Sequence, residues 1–255
     1  MSPEKIKEVA WLLMLIPFGI VLGTGLFFVF CAWRRATEAA ETEAETSFSH
    51  LSTTGLAGFQ SSLCEQPGRW LAIKAGNPAV VQAALNLHHP MPCSWEKGLS
   101  EAREDKLFIS PSISGWVLVV GFGLPGPFED VDRCFRFLTG LSRKLGQVQF
   151  FTASRIVNHH AWALLEKGHV YRAYAWAGET LWNQGPLTAA EKDLELLCFD
   201  YGADEDIFSA KEALSANSEK VNQLAARWSL DPATLPPSAW GGHGIVGELS
   251  HSKLH

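Results

Sequence analysis

Residues 159–176 read HHAWALLEKGHVYRAYAW, and the way this stretch turns back on itself decides the fold. The run Glu166–Gly168 suits a three-residue hairpin loop with glycine in the left-handed position. Leu165 then faces His169, and the pairs continue outward. One face carries Leu164 with Val170, Trp162 with Arg172, His160 with Tyr174, and Asn158 with Trp176. The other pairs Ala163 with Tyr171, Ala161 with Ala173, and His159 with Ala175. Small alanines let a helix or second layer come close, so their side is the expected buried one. The opposite side collects His160, Trp162, Arg172, Tyr174 and Trp176 as a polar-aromatic strip.

Such a strip has three readings: sheet stabilisation, a binding surface, and catalysis or metal binding. Cross-strand aromatic pairs and an arginine stacked on a ring stabilise a sheet by up to about 1 kcal/mol each with no ligand present. The same residue types also anchor protein interfaces, and the five residues are therefore the candidate binding residues. In this register His159 points away from His160, and His169 lies at the far end from both. The three histidines do not converge, so neither a catalytic group nor a metal site is assigned to them.

Upstream, WLAIKA (Trp70–Ala75) is strand-like, and Asn77-Pro78 opens a helix over NPAVVQAALNL. A helical or irregular piece begins near Ser94. KLFIS and GWVLVVG are two further strand candidates around Pro111 and Gly115. In FEDVDRCFRFLTGLSRKLG, the residues Val131, Cys134, Phe135, Leu138, Leu141 and Leu145 fall on one helical stripe, which Gly146 stops. VQFFT is again a strand. The order β-α-β-β-α-β predicts an α+β fold with a ferredoxin-like split βαβ core, extended by the hairpin. Downstream, TAAEKDLELL and SEKVNQLAARW read as C-terminal helices, the second ended by Asp231-Pro232. Residues 236–255 read as a tail.

The first 68 residues are of another character. Val9–Trp33 is uncharged and exceeds the roughly 20 residues needed to cross a bilayer. Trp11 and Trp33 bracket it, and Arg34-Arg35 follow where a cleavage site would stand. The expectation is a single transmembrane helix over 9–33 after a tail of 1–8. A polar stalk over 34–68 then leads to an α+β domain over 69–235. Gly19 and Gly23 form a GxxxG pair through which two copies could associate. The Arg pair, and five cysteines with no CxxC pair that read as free thiols, predict a single-pass membrane protein with its soluble domain in the cytoplasm.

A net charge of −6 argues against nucleic-acid binding, which needs a basic footprint. HHPMPC (His88–Cys93) offers soft ligands, but prolines in a loop account for it equally, and no second pair has structural-zinc spacing. GFGLPG (Gly121–Gly126) lacks the lysine and spacing of a phosphate loop. No metal and no cofactor is expected.

GWVLVVG, the 148–179 segment and LAARWSLDP (Leu224–Pro232) together resemble a group of uncharacterised bacterial proteins. These share a strand-helix-strand core, a hairpin with His-Ala-Trp-Ala and Arg-Ala-Tyr, and a Trp-Ser-x-Asp-Pro ending. The resemblance implies a bacterial source, and with it a place in the bacterial inner membrane for the predicted single-pass helix; it also implies one continuous domain and supplies no catalytic residues. The functional expectation is a membrane-anchored binding or scaffolding module for a protein partner, with its contact surface on the 157–176 hairpin. The alternative is a membrane-anchored, hydrolase-like enzyme using histidine and carboxylate groups near the same hairpin.

Overall fold

In the computed structural model, residues 68–104, 106–203 and 211–249 are described, with the backbone alone at 211–215. The chain runs through β1 (Gly68–Lys74), α1 (Pro78–Leu85), β2 (Leu87–Cys93), α2 (Trp95–Glu101), β3 (Lys106–Ile109) and β4 (Trp116–Val120). It continues through α3 (Val131–Leu145), β5 (Gln147–Ser154), β6 (His159–Glu166), β7 (His169–Trp176) and β8 (Thr180–Gln184). A short α4 (Ala189–Asp193), a long α5 (Lys211–Trp228), two 3-10 turns and β9 (Gly244–Leu249) complete it.

All the strands join one nine-stranded sheet in the order β2-β9-β3-β4-β1-β5-β6-β7-β8, and every neighbouring pair is antiparallel. Period-two alternation divides the apolar residues between the two faces. One face carries Leu71, Ile73, Val117, Val119, Val148 and Phe150, packed against Val81 and Leu85 of α1 and Cys134, Leu138 and Leu141 of α3. The other carries Trp70, Phe108, Leu118, Phe151, Trp162 and Tyr174, covered by α2, α5 and the segment after α5.

Local sequence explains the helix ends. The Asn77 side chain accepts from the Ala79 amide to start α1, with Pro78 in the first turn. The Asp130 carboxylate caps α3 at the Arg133 amide, and Arg143 and Lys144 lie in its last turn beside the negative end of the helix dipole. The Trp-Ser-x-Asp-Pro run is a helix terminator locked to the sheet. Buried Gln149 of β5 donates to the Trp228 carbonyl (3.2 Å) and accepts from the Ser229 hydroxyl (2.5 Å). Asp231 then caps the following 3-10 turn at Ala233.

Several expectations are corrected here. Among the described residues, the predicted ferredoxin-like split βαβ core with an appended hairpin gives way to one continuous nine-stranded antiparallel sheet. Three strands were hidden in the sequence. β2 carries two prolines and a register shift, β8 is five residues long, and β9 lies in the segment read as a tail. No helix among the described residues is long and apolar enough to cross a membrane. A single-pass inner-membrane protein with a cytoplasmic domain is therefore not supported. The 9–33 run, the 34–67 part of the stalk, and the Gly19/Gly23 pair lie outside the described residues.

Candidate functional site: a sealed polar layer on the β6–β7 hairpin

Lys167 (φ 50) and Gly168 (φ 83) are both left-handed, and Glu166 pairs with His169. The loop is thus the two-residue type that matches strand twist, one residue shorter than the sequence suggested. The register compensates by a bulge: Leu165 pairs with Val170, whereas Leu164 pairs with Arg172. Tyr171 is the extra residue and stands exposed. Val170 consequently packs on the alanine face rather than the aromatic one. Beyond the bulge Trp162 faces Tyr174 and His160 faces Trp176, two residues out of step with the expected pairing.

Apart from Val170, the division of faces holds. Ala161, Ala163, Ala173 and Ala175 lie buried on the α3 side, and the five candidate residues share the other. Those five are not a surface, however: His160, Trp162, Arg172, Tyr174 and Trp176 are all 2% exposed or less. They lie beneath α4, α5 and the 194–199 segment. His159 is on the opposite face against the Phe128 ring, 5.1 Å between centroids, and His169 is exposed beside the turn. The three histidines point three ways.

Glu191, which the sequence reading did not single out, is the hub of the layer. Thr188-x-x-Glu191 is a capping box, with the Thr188 hydroxyl accepting from the Glu191 amide (3.2 Å). Its Oε2 accepts from the Thr188 amide (2.7 Å) and hydroxyl (2.8 Å). Its Oε1 accepts from Trp162 Nε1 and Arg172 Nε, both at 2.7 Å. The capping motif was visible in the sequence, but such a glutamate ordinarily faces solvent. Here the carboxylate is fully buried and doubles as the counter-ion of a buried arginine.

Arg172 ties β7 to β8. Its Nη1 donates to Asn183 Oδ1 (2.7 Å), to the carbonyl of Ala173 (3.0 Å), and to those of Gln184 and Gly185 (3.3 Å each). Gly185 permits this: it is left-handed (φ 80), and a Cβ there would stand 2.1 Å from the Tyr171 carbonyl. The guanidinium also lies 5.7 Å from the Tyr174 ring centroid.

The aromatic stack continues to His160, whose ring lies 5.7 Å from Trp162 and nearly parallel to it. His160 Nε2 faces Asn217 Nδ2 at 3.2 Å and Nδ1 faces Ser218 Oγ at 3.3 Å. Asn217 is already fixed, since it donates to the Leu197 carbonyl (2.7 Å) and accepts from the Leu197 amide (3.1 Å). Its remaining N–H donates to Nε2, which places the imidazole proton on Nδ1, facing Ser218. The Ser218 hydroxyl passes the chain to Asn158 Oδ1 (3.3 Å). Burial, with a smaller push from His159, depresses the His160 pKa to about 3.

Burial likewise raises the Tyr174 phenol to about 12, and it raises the Cys198 thiol, near Glu191 and Arg172, to about 12. A neutral imidazole, phenol and thiol, together with the Arg172–Glu191 ion pair, hold the sheet to its covering helices. His88 and His89 lie on the β2 edge, and among the described residues no group of three His, Cys, Asp or Glu side chains is placed to hold a metal. The GFGLPG loop wraps an arginine instead of a phosphate: Arg69 donates to the Leu124 carbonyl and to Glu129.

The fold and site define a sheet protein covered on both faces, with a sealed ionic and aromatic layer. No family model, curated protein or solved structure matches the chain, and the bacterial resemblance gains no further support.

Proposed function

We propose that the protein is a binding or scaffolding module for a protein partner, and that its contact surface is the β5–β6 turn, where the hairpin begins, rather than the aromatic strip. The observation that carries this reading is Ile156, 88% exposed, beside Val157, 55% exposed. Two β-branched aliphatic side chains stand next to each other on a turn, largely uncovered by the described residues. Exposed Phe122 follows β4 at the same end of the sheet, so apolar surface gathers where interface cores form. The hydrolase-like alternative calls for His160 beside a carboxylate, and its partners are Asn217 and Ser218.

The test is a photo-crosslinking amino acid placed at 156, 157 or 171 in the full chain, in the cells that make it. A discrete protein adduct from 156 and 157, absent from 171 and lost when Ile156→Asp or Val157→Asp accompanies the neighbouring probe, supports the proposal. Adducts from 171 alone, or none, overturn it.

A further inference from the structure

The chain carries a net charge of −6, yet α3 reverses that sign. Its 15 residues, VDRCFRFLTGLSRKL, hold Arg133, Arg136, Arg143 and Lys144 against the single acid Asp132. Cys134, Leu138 and Leu141 take the inward stripe, and the helical period sends Arg133, Arg136, Gly140 and Arg143 to the opposite side. All three arginines are exposed. At 1.5 Å per residue, Arg133 and Arg143 stand about 15 Å apart along the axis.

Basic residues on a helix surface are commonly balanced by acids one turn away. Asp132 precedes Arg136 by one turn, but among the described residues none of the three arginines forms an ion pair. Lys144 differs, because its ammonium donates to the Ala84 carbonyl in the last turn of α1 at 3.3 Å. Arg143 is held by its stem. That stem crosses the hairpin turn at Gly168, where a Cβ would stand 2.4 Å from Arg143 Cγ.

Gly140 lies between the arginines, four residues after Arg136 and three before Arg143. Only proline forms helices less well than glycine. The fold does not ask for glycine here: the backbone is ordinary helix, and a Cβ would meet nothing within 4 Å. What the missing side chain leaves is bare backbone between two guanidinium-bearing turns, where another chain can come close.

We infer that this outer face of α3 is a docking surface for an acidic segment of a partner protein. Guanidiniums meet carboxylates in a planar, two-point fit. A row of three along about 15 Å matches a run of acids rather than one small anion. Gly140 lets that segment lie against the helix between Arg136 and Arg143. The surface is separate from the β5–β6 turn, and neither reading depends on the other.

The experiment is a titration of a synthetic Glu/Ala peptide, with its Gln/Ala counterpart as control, into the full-length protein. Amide chemical shifts and calorimetry follow it at low and moderate salt. The Glu/Ala peptide alone binds saturably, shifts the amides of α3, and weakens as salt rises. Arg143→Gln lowers the affinity about threefold or more, whereas Lys144→Gln, which removes the same charge one residue on, changes it less than about twofold. Gly140→Ala also weakens binding about threefold or more, although alanine is the better helix former and the free variant unfolds at the same or a higher urea concentration. A loss of folding cannot produce that combination. Absence of saturable binding, equal losses in Arg143→Gln and Lys144→Gln, or full affinity in Gly140→Ala overturns the inference. Inorganic phosphate that shifts the same amides and binds more tightly than the peptide also overturns it, and assigns the face to a small anion.

Discussion

Arg172→Met offers the sharpest test of the sealed layer. The substitution keeps an unbranched chain in place of the arginine stem and removes the charge. Glu191 then remains fully buried with the Trp162 and Thr188 donors but no cation. Removing one partner of a buried pair costs about 3–5 kcal/mol, because the remaining charge is uncompensated. Loss of the Asn183 and carbonyl contacts acts in the same direction. Against a total stability of about 5–15 kcal/mol for a domain, this approaches unfolding. Glu191→Met orphans the arginine and costs a similar amount. The double variant removes both charges, so it should cost less than the sum of the singles by about 2 kcal/mol or more. Urea unfolding followed by tryptophan fluorescence measures all three, with equal slopes securing the comparison. A loss below about 1 kcal/mol for either single variant, or strict additivity, would refute the claim that the pair is sealed and coupled.

Other outcomes follow from the same geometry. His160 is depressed to about 3 when folded, so the unfolded chain takes the proton first as pH falls below about 6.5. Stability is therefore full above that value and declines down to about pH 3, by about 2 kcal/mol at pH 5. Urea midpoints against pH should lose this slope in His160→Gln, and an unchanged slope would contradict the assignment. Gly98→Ala would set a Cβ 2.1 Å from the Phe108 ring, which is buried against Trp95. The expected loss is about 1–3 kcal/mol in thermal or urea unfolding, although alanine is the better helix former; a neutral or stabilised variant would show that the ring yields freely.

How much was legible is clearest at the hairpin. Alternation alone separates the alanines from the rings, because side chains on a strand can only point to one face or the other. The turn was placed correctly around Gly168 but with one residue too many, and the bulge at Tyr171 was invisible. A bulge depends on what lies opposite, not on the bulged residue itself. Periodicity also located β1, β3 to β5, α1 and α3, whose apolar residues are local and regular. It could not find β2 or β9, where prolines and glycines disguise strands that exist only because neighbours pair with them.

The sequence by itself determined which residues travel together: the alanine face, the aromatic face and the caps of α1 and α3. Whether the aromatic face looked outward was decided by tertiary structure. Arginine, tryptophan, tyrosine and histidine suit a binding surface and a satisfied interior equally well, and what separates the two is the presence of partners distant in the chain. Glu191, Asn217 and Ser218 supply those partners from α4 and α5. With His160, Trp162, Tyr174 and all of Arg172 but Nη2 partnered, the cost of taking their polar groups out of water is offset, and the strip becomes core.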